Sequence, residues 1–253
     1  MILWLILLIP LFLCWGSFLN VVAYRLIKGK DLLHRSRCIH CKQIIAWYDN
    51  IPLFSYVVLR GRCRSCSKPI SWLYPAIELF TTVMMTLLYL RMENTYFLGY
   101  FVLFSALIVT IRSDLETMLI SRWVTIALVP VGIVMSFTDT IPIAPLNSMM
   151  GAASGYLSLW FVGTLFYLVT RKEGLGQGDL DLLACIGAFT GIVGVWMTVL
   201  LGSLFGSIIG TAVLIYKGKF QRYMKLPFGP FLALGAITYV LFQGPLLRLV
   251  GFW

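Results

Sequence analysis

The sequence predicts an all-α polytopic membrane protein of about eight transmembrane helices, with a small cytoplasmic four-cysteine zinc-binding module between the first helix and the second. Three observations predict it. Of the 253 residues, 60% are hydrophobic and only 12% charged, with a mean hydropathy of +0.90, about half the charge share of a soluble domain. The apolar residues gather into runs near the roughly 20 that a helix needs to cross a bilayer. The longest polar interruption, residues 25–72, carries two Cys-x-x-Cys pairs.

Eight runs read as spans: about 2–22, 73–90, 96–111, 120–137, 148–170, 181–196, 197–216 and 229–250. Only the Gly191–Gly194 region divides the sixth from the seventh, and no charge marks a turn there. The first run has no basic residues before it and is long and aromatic, so it is expected to stay as an anchor rather than be removed as a signal. A net charge of +10 would suit nucleic acid, but the cations follow the spans instead. Those from Arg25 to Lys68 fill the first polar loop. Arg112 and Arg122, then Arg171 and Lys172, then Lys217, Lys219, Arg222 and Lys225 fall in alternate later loops, with Arg91 and Arg248 opposite. Positive charge marks the cytoplasmic side, which places the loop 25–72 inside and both termini outside, and argues against a nucleic-acid partner. The expected parts are a first helix over 1–24, the module over 25–72 and a membrane body over 73–253. Loops in the body are short apart from 138–147, with Pro142 and Pro145, so polar chemistry must collect at cytoplasmic helix ends.

Cys38-Ile-His-Cys41 and Cys63-Arg-Ser-Cys66 have the spacing of a four-cysteine zinc site. Each pair forms a knuckle aiming two sulfurs at one centre; two knuckles close a tetrahedron with no open position, which makes the metal structural. Two disulfides or a redox pair are the competing readings, and a cytoplasmic location disfavours persistent disulfides. His40 reads as a bystander. Cys14 and Cys185, inside apolar spans, read as small core residues.

Among the ten acids, Asp31, Asp49, Glu93 and Asp139 need no more than solvation. Glu78 is different, because an ionisable group inside a span is costly and therefore a functional candidate. Asp114 follows the third span in Ile111-Arg112-Ser113-Asp114, and Asp179 opens the sixth after Gly174-Leu175-Gly176-Gln177-Gly178. Two carboxylates at one membrane-edge site can share a proton, one serving as base toward a water while the other, protonated, polarises a carbonyl. The glycines before Asp179 leave room for an extended peptide. On the residues alone an equal reading stands: Asp179 stabilised at a helix N-terminus and Asp114 paired with Arg112.

Together these blocks resemble the bacterial prepilin peptidases, or type IV leader peptidases and N-methyltransferases, over nearly the whole chain. Gly16-Ser17-Phe18-Leu19-Asn20 with Tyr24-Arg25 is similar to the family's first-span signature. Arg35 to Cys38, Asn50 to Tyr56 and Leu59 to Cys66 are similar to its zinc-bearing domain, and Glu78 to the acid that follows it. Gly176-Gln177-Gly178-Asp179 resembles the GxGD motif shared with presenilin-like proteases, Asp114 the first catalytic aspartate, and Leu226-Pro227-Phe228-Gly229-Pro230 a late PFGP element. The resemblance implies Asp114 and Asp179 as catalytic pair, Cys38, Cys41, Cys63 and Cys66 as zinc ligands, and Glu78 as a candidate at the methyl-donor site. It also implies leader cleavage after glycine in prepilins or pseudopilins at the cytoplasmic face of the bacterial inner membrane, then N-methylation with S-adenosylmethionine. Ser121 stands where the family has proline, and Asp181 where it has lysine; an acid so near the pair offers a rival for the second aspartate. A transporter with a zinc-stabilised cytoplasmic domain is the alternative, but it calls for ionisable groups near the bilayer midplane. A non-enzymatic scaffold would need no paired aspartates.

Overall fold

The structure is a computed structural model describing residues 2–31, 35–172, 174–217 and 227–251. Lys219, Arg222, Lys225 and Leu226 lie outside the described residues. Every extended element among the described residues is helical, and pairing between strands is limited to two isolated bridges, Arg37 with Ile44 and Arg62 with Pro69. The chain divides into two compact units, Met1–Leu90 and Arg91–Trp253.

In the first unit, α1 (Ile2–Ile27) and α3 (Leu73–Arg91) flank the cysteine module, which holds a 3-10 turn at Trp47–Asn50 and the short α2 (Phe54–Val58). Gly16 lets α1 meet α3 closely: a Cβ there would lie 3.0 Å from Glu78 Cα and from Thr81 Cβ. One turn on, the buried Asn20 donates from Nδ2 to the Tyr74 carbonyl at 3.1 Å.

The second unit holds α4 (Asn94–Thr117), α5 (Arg122–Phe137), α6 (Pro145–Thr170), α7 (Gln177–Lys217), α8 (Gly229–Leu241) and α9 (Gln243–Leu249). Its core joins Leu103, Phe104 and Leu107 of α4 to Leu182, Leu183, Ile186 and Phe189 of α7 and Leu232, Ala233 and Ala236 of α8, all buried. Small residues set the spacing, as is usual where lipid removes the hydrophobic drive between helices. A Cβ on Gly151 of α6 would lie 2.8 Å from the Gly191 backbone, and one on Gly235 of α8 2.6 Å from the Thr198 carbonyl. The outward faces are apolar: Leu157, Phe161, Leu165 and Leu168 of α6 are all more than half exposed. A surface of that kind suits lipid.

Five helices are long and apolar enough to cross a membrane, or six if the bent α8–α9 pair is one span, so this is a multi-pass membrane protein. Several expected boundaries move. The sixth and seventh runs are one helical element broken at Gly191, whose φ of 70° and ψ of −175° are not helical. The chain turns back there, since a Cβ on Gly187 would lie 2.8 Å from Val195 Cγ2, whereas a straight helix holds residues eight apart about 12 Å from each other. The turn is thus at Gly191 itself, earlier than a boundary between 196 and 197. Asn147 accommodates it, accepting from the Ile192 N–H at 3.2 Å and so satisfying a donor that the break strands. The eighth run bends by 93° between α8 and α9, because Pro245 lacks an N–H and its ring opposes the carbonyl four residues earlier. The third run continues as helix to Thr117, so Arg112 is not a loop residue; it is buried and pairs with Glu116 one turn on. Cys185 is buried as expected, but Cys14 lies on the exposed face of α1.

The glycine contacts make a testable demand. Gly151→Leu should destabilise the protein by about 1–3 kcal/mol through overpacking, whereas Gly244→Leu, with nothing within 4 Å of the added Cβ, should change little. Unfolding of purified variants by denaturant titration, followed by tryptophan fluorescence, checks the difference.

Candidate active site

Asp114 sits in the last turn of α4 and is buried. The helix ends just beyond it, where Met118 adopts a left-handed conformation at φ 54° and its N–H returns to the Asp114 carbonyl at 2.9 Å. That cap turns the chain so that Ile120 swings back toward the aspartates. A Cβ on Gly178 would lie 2.8 Å from Ile120 Cβ, and one on Gly229 2.9 Å from Ile120 Cδ1. Ile120 therefore packs against the residue before Asp179 and against the start of α8 together.

Asp179 lies in the first turn of α7, with its N–H on the Gly176 carbonyl at 3.1 Å. Gln177 anchors the turn by donating from Nε2 to the Tyr156 hydroxyl at 2.9 Å. The Asp114 carboxylate accepts from the Gly229 N–H at 3.1 Å, and it is near enough to Asp179 for the two carboxyls to interact through space. Three helix ends thus meet: the C-terminus of α4 and the N-termini of α7 and α8. The positive ends of two helix dipoles point where the two acids are, which favours negative charge there.

One part of the alternative reading fails and one part holds: Asp114 is not paired with Arg112, while Asp179 does lie in the first turn of a helix. Arg112 pairs with Glu116, while Asp114 meets the α8 terminus. Asp181, the rival acid, is 5% exposed and its Oδ2 accepts from Arg122 Nε at 2.6 Å. Its charge is matched by that guanidinium, whereas Asp114 and Asp179 each lie at one of the converging helix ends. Sequence reasoning missed Ile120, the Arg122 partner and the role of Gly229. The signal for Gly229 was the glycine between Pro227 and Pro230: a Cβ there would come 2.7 Å from Asp114 Oδ2.

In the first unit the four cysteines converge, with all four sulfurs within 4.8 Å of one another. Cys38 and Cys66 sulfurs are 3.8 Å apart, the edge of a tetrahedron whose metal–sulfur bonds are about 2.3 Å, and all four cysteines are free of disulfides. The two knuckles match bond for bond: the Cys38 N–H donates to the Gln43 carbonyl as the Cys63 N–H does to that of Lys68, and Lys42 and Ser67 both take positive φ. Partial burial pushes the Cys38 thiol up, but the Cys41 and His40 amides and the Cys41 and Cys63 thiols outweigh it and bring it down to about 6. At Cys66 the Lys68 amide pulls down, yet burial and the other three thiols push it up to about 11. Binding of a divalent metal by such a set of cysteines takes place through thiolates and so releases protons. His40 is not part of the converging set.

Glu78 is buried within α3, and its Oε2 accepts from the Leu53 N–H at 2.9 Å and interacts with the Ser17 side chain. Asp49, expected to be simply solvated, is instead clamped by Arg64 through Nε at 2.8 Å and Nη2 at 2.7 Å. Those hydrogen bonds hold its carboxyl below the usual range.

Comparison with known proteins brings these sites under one heading. Residues 11–92 match the bacterial peptidase A24 N-terminal domain and residues 101–211 the type IV leader peptidase family. A prepilin leader peptidase/N-methyltransferase of Klebsiella pneumoniae is 40% identical over 200 residues, covering 76% of this chain and 87% of the relative. That of Xanthomonas campestris is 35% identical over 87% of this chain and 84% of the relative, and that of Dickeya chrysanthemi 34% over 99% and 95%. No solved structure matches the chain.

If the sulfur cluster is a metal site, protein purified without chelator should carry about one tetrahedrally bound ion per chain. Cys38→Ser or Cys63→Ser should reduce that content several-fold, measured by plasma emission spectrometry on folded protein. Metal-free wild type with an intact fold would contradict the assignment.

Proposed function

The chain belongs to the type IV leader peptidase family, and from that premise we propose that it removes the leader peptide from type IV prepilins and pilin-like pseudopilins, with Asp114 and Asp179 as the catalytic pair. The observation that supports this reading is that both acids lie where three helix ends converge, Asp114 on the Gly229 N–H, while the neighbouring Asp181 is held by Arg122. With one carboxyl ionised and its partner protonated, the first takes a proton from a water, the resulting hydroxide attacks the scissile carbonyl, and the second donates toward the carbonyl oxygen. The first carboxyl then gives the proton it took from water to the amine nitrogen as the C–N bond breaks, and collapse of the tetrahedral intermediate returns the second carboxyl's proton, restoring the pair. The Gly229 N–H helps to keep Asp114 in position for its share of that exchange.

The site faces the cytoplasm of the bacterial inner membrane in this reading, supported by the cations flanking it in sequence. The membrane body over 73–253 carries the peptidase, and the module over 25–72, with zinc on its four cysteines, serves the second activity. The curated relatives are named as N-methyltransferases as well, so the chain also methylates the new N-terminus with S-adenosylmethionine, which supplies the methyl group when bound. All eight apolar runs are arranged as crossings, α7 contributing both arms of its reversal. A transporter gains no support, since the buried Asp181 is neutralised by an arginine and lies at a helix end rather than along an ion path.

Asp114→Asn or Asp179→Asn should each lower cleavage of a prepilin at least about 100- to 10,000-fold without loss of folding, because the isosteric amide leaves no buried charge unpaired. Asp181→Asn should cost far less. Gly229→Ala should reduce turnover about tenfold or more by displacing Asp114. Single-turnover cleavage by purified variants in detergent measures all four, and near-wild-type rates for Asp114→Asn or Asp179→Asn would remove the assignment.

A further inference from the structure

The cysteine module hides almost none of its apolar side chains. Among the described residues of 35–72 only Ser55 is buried, so the converging cysteines, not an apolar core, close the loop. Phe54, Val57 and Val58 of α2 are all more than half exposed, and their spacing of three and four places them on one helical face. Away from that face the helix is fixed: the Ser55 hydroxyl accepts from the Ile51 N–H at 3.0 Å and donates to the Tyr48 carbonyl at 2.8 Å. Those bonds seat α2 beside the 3-10 turn, whose Trp47 is 81% exposed. Directly after the helix come Arg60 and Arg62, both exposed. Over the whole loop 25–72 there are ten lysines and arginines and two acids, one of which, Asp49, is already clamped by Arg64.

An exposed apolar face beside a cluster of charge marks a protein or a membrane partner, and two observations select the membrane. The module is tied to the bilayer at both ends, because α1 before it and α3 after it are each long and apolar enough to cross one, and the Asn20 bond to the Tyr74 carbonyl holds those two helices together. Its surplus of cations also matches anionic headgroups, which attract lysine and arginine near the surface. We propose that α2 lies in the headgroup layer of an anionic bilayer, with Phe54, Val57 and Val58 entering the acyl boundary and Arg60 and Arg62 meeting phospholipid phosphates. Apolar side chains on one side with cations next to them are the pattern of an interfacial helix. Trp47 and Trp72, both more than half exposed, suit the same zone. A helix of five residues covers too little area to hold a membrane unaided; the two spans keep it at the surface, where the second contact is intramolecular and a weak one suffices. The docking requires only that the chain is a multi-pass membrane protein, and neither of the activities proposed above.

The test places photoreactive benzoylphenylalanine at Val57 in the full chain, reconstituted into nanodiscs of phosphatidylcholine alone or with about one third phosphatidylglycerol, a mixture in which surface cations are attracted to the bilayer. Adducts formed on illumination are identified by mass spectrometry. The same group at Leu165, on the outward face of α6, reports lipid contact in either disc, and Phe54 replaces Val57 as the labelled position if the first variant does not fold. The Val57 label should join phospholipid several-fold more in the anionic discs. That excess should disappear at high salt, which screens exposed charge, and in the double variant Arg60→Gln, Arg62→Gln. Lipid capture at Leu165 with none at Val57 or Phe54 would overturn the proposal, as would adducts joining either position to residues 91–253 or to a second copy of the chain, which would make the face a protein contact. Equal capture in the two discs would overturn the assignment to anionic lipid.

Discussion

A carboxylate inside a membrane helix is tolerable only where the protein gives it donors, and in the larger unit one such bond organises everything near it. Asp114 accepts from the first N–H of α8, so a costly acid and an unsatisfied helix end satisfy each other. The bond requires glycine at 229 and a chain reversal at Met118, and the reversal brings Ile120 against both Gly178 and Gly229. Each requirement is cheap alone. Jointly they fix three helix termini at one point, and with them the two acids proposed to act.

The smaller unit uses the same device at another place. Glu78 in α3 accepts from the Leu53 N–H in a turn of the module, where Leu53 itself takes a positive φ of 58°, and Gly16 and Asn20 of α1 close on the same helix. Buried acids in both units thus work as fasteners between a span and the start of another helix. This accounts for why a charge expected to be expensive in lipid is kept: the carboxylate replaces the water that the turn's amide has lost.

Much of this was legible in the sequence. Runs of apolar residues marked where helices lie, and the two Cys-x-x-Cys pairs marked a converging sulfur cluster, because both signals are local. The reversal at Gly191 was visible only as a glycine cluster without charges, since what defines it is Asn147, 45 residues away. The bend after Leu241 was written in Gly244-Pro245 and was overridden by the hydropathy of the run. Arg112 was misplaced because a window average ends a span at the first charge, whereas the helix continues on an Arg112–Glu116 pair. The neutralisation of Asp181 by Arg122 joins residues 59 apart, which no spacing rule reaches. Ile120 offered no signal at all, for an isoleucine beside an apolar span is unremarkable until the fold shows what it touches.

The matched knuckles have a consequence for biosynthesis. The ribosome delivers Cys38 and Cys41 well before Cys63 and Cys66, and a half-set of thiols forms only an incomplete coordination sphere. Because a metal's binding free energy is folding free energy in a small module, most of it becomes available only when the second knuckle emerges, immediately ahead of α3. If the four sulfurs hold a metal, its capture comes late in the making of this loop, the first helix waits for its neighbour with the intervening chain unlatched, and a shortage of metal leaves the module open rather than folded and missing one ion.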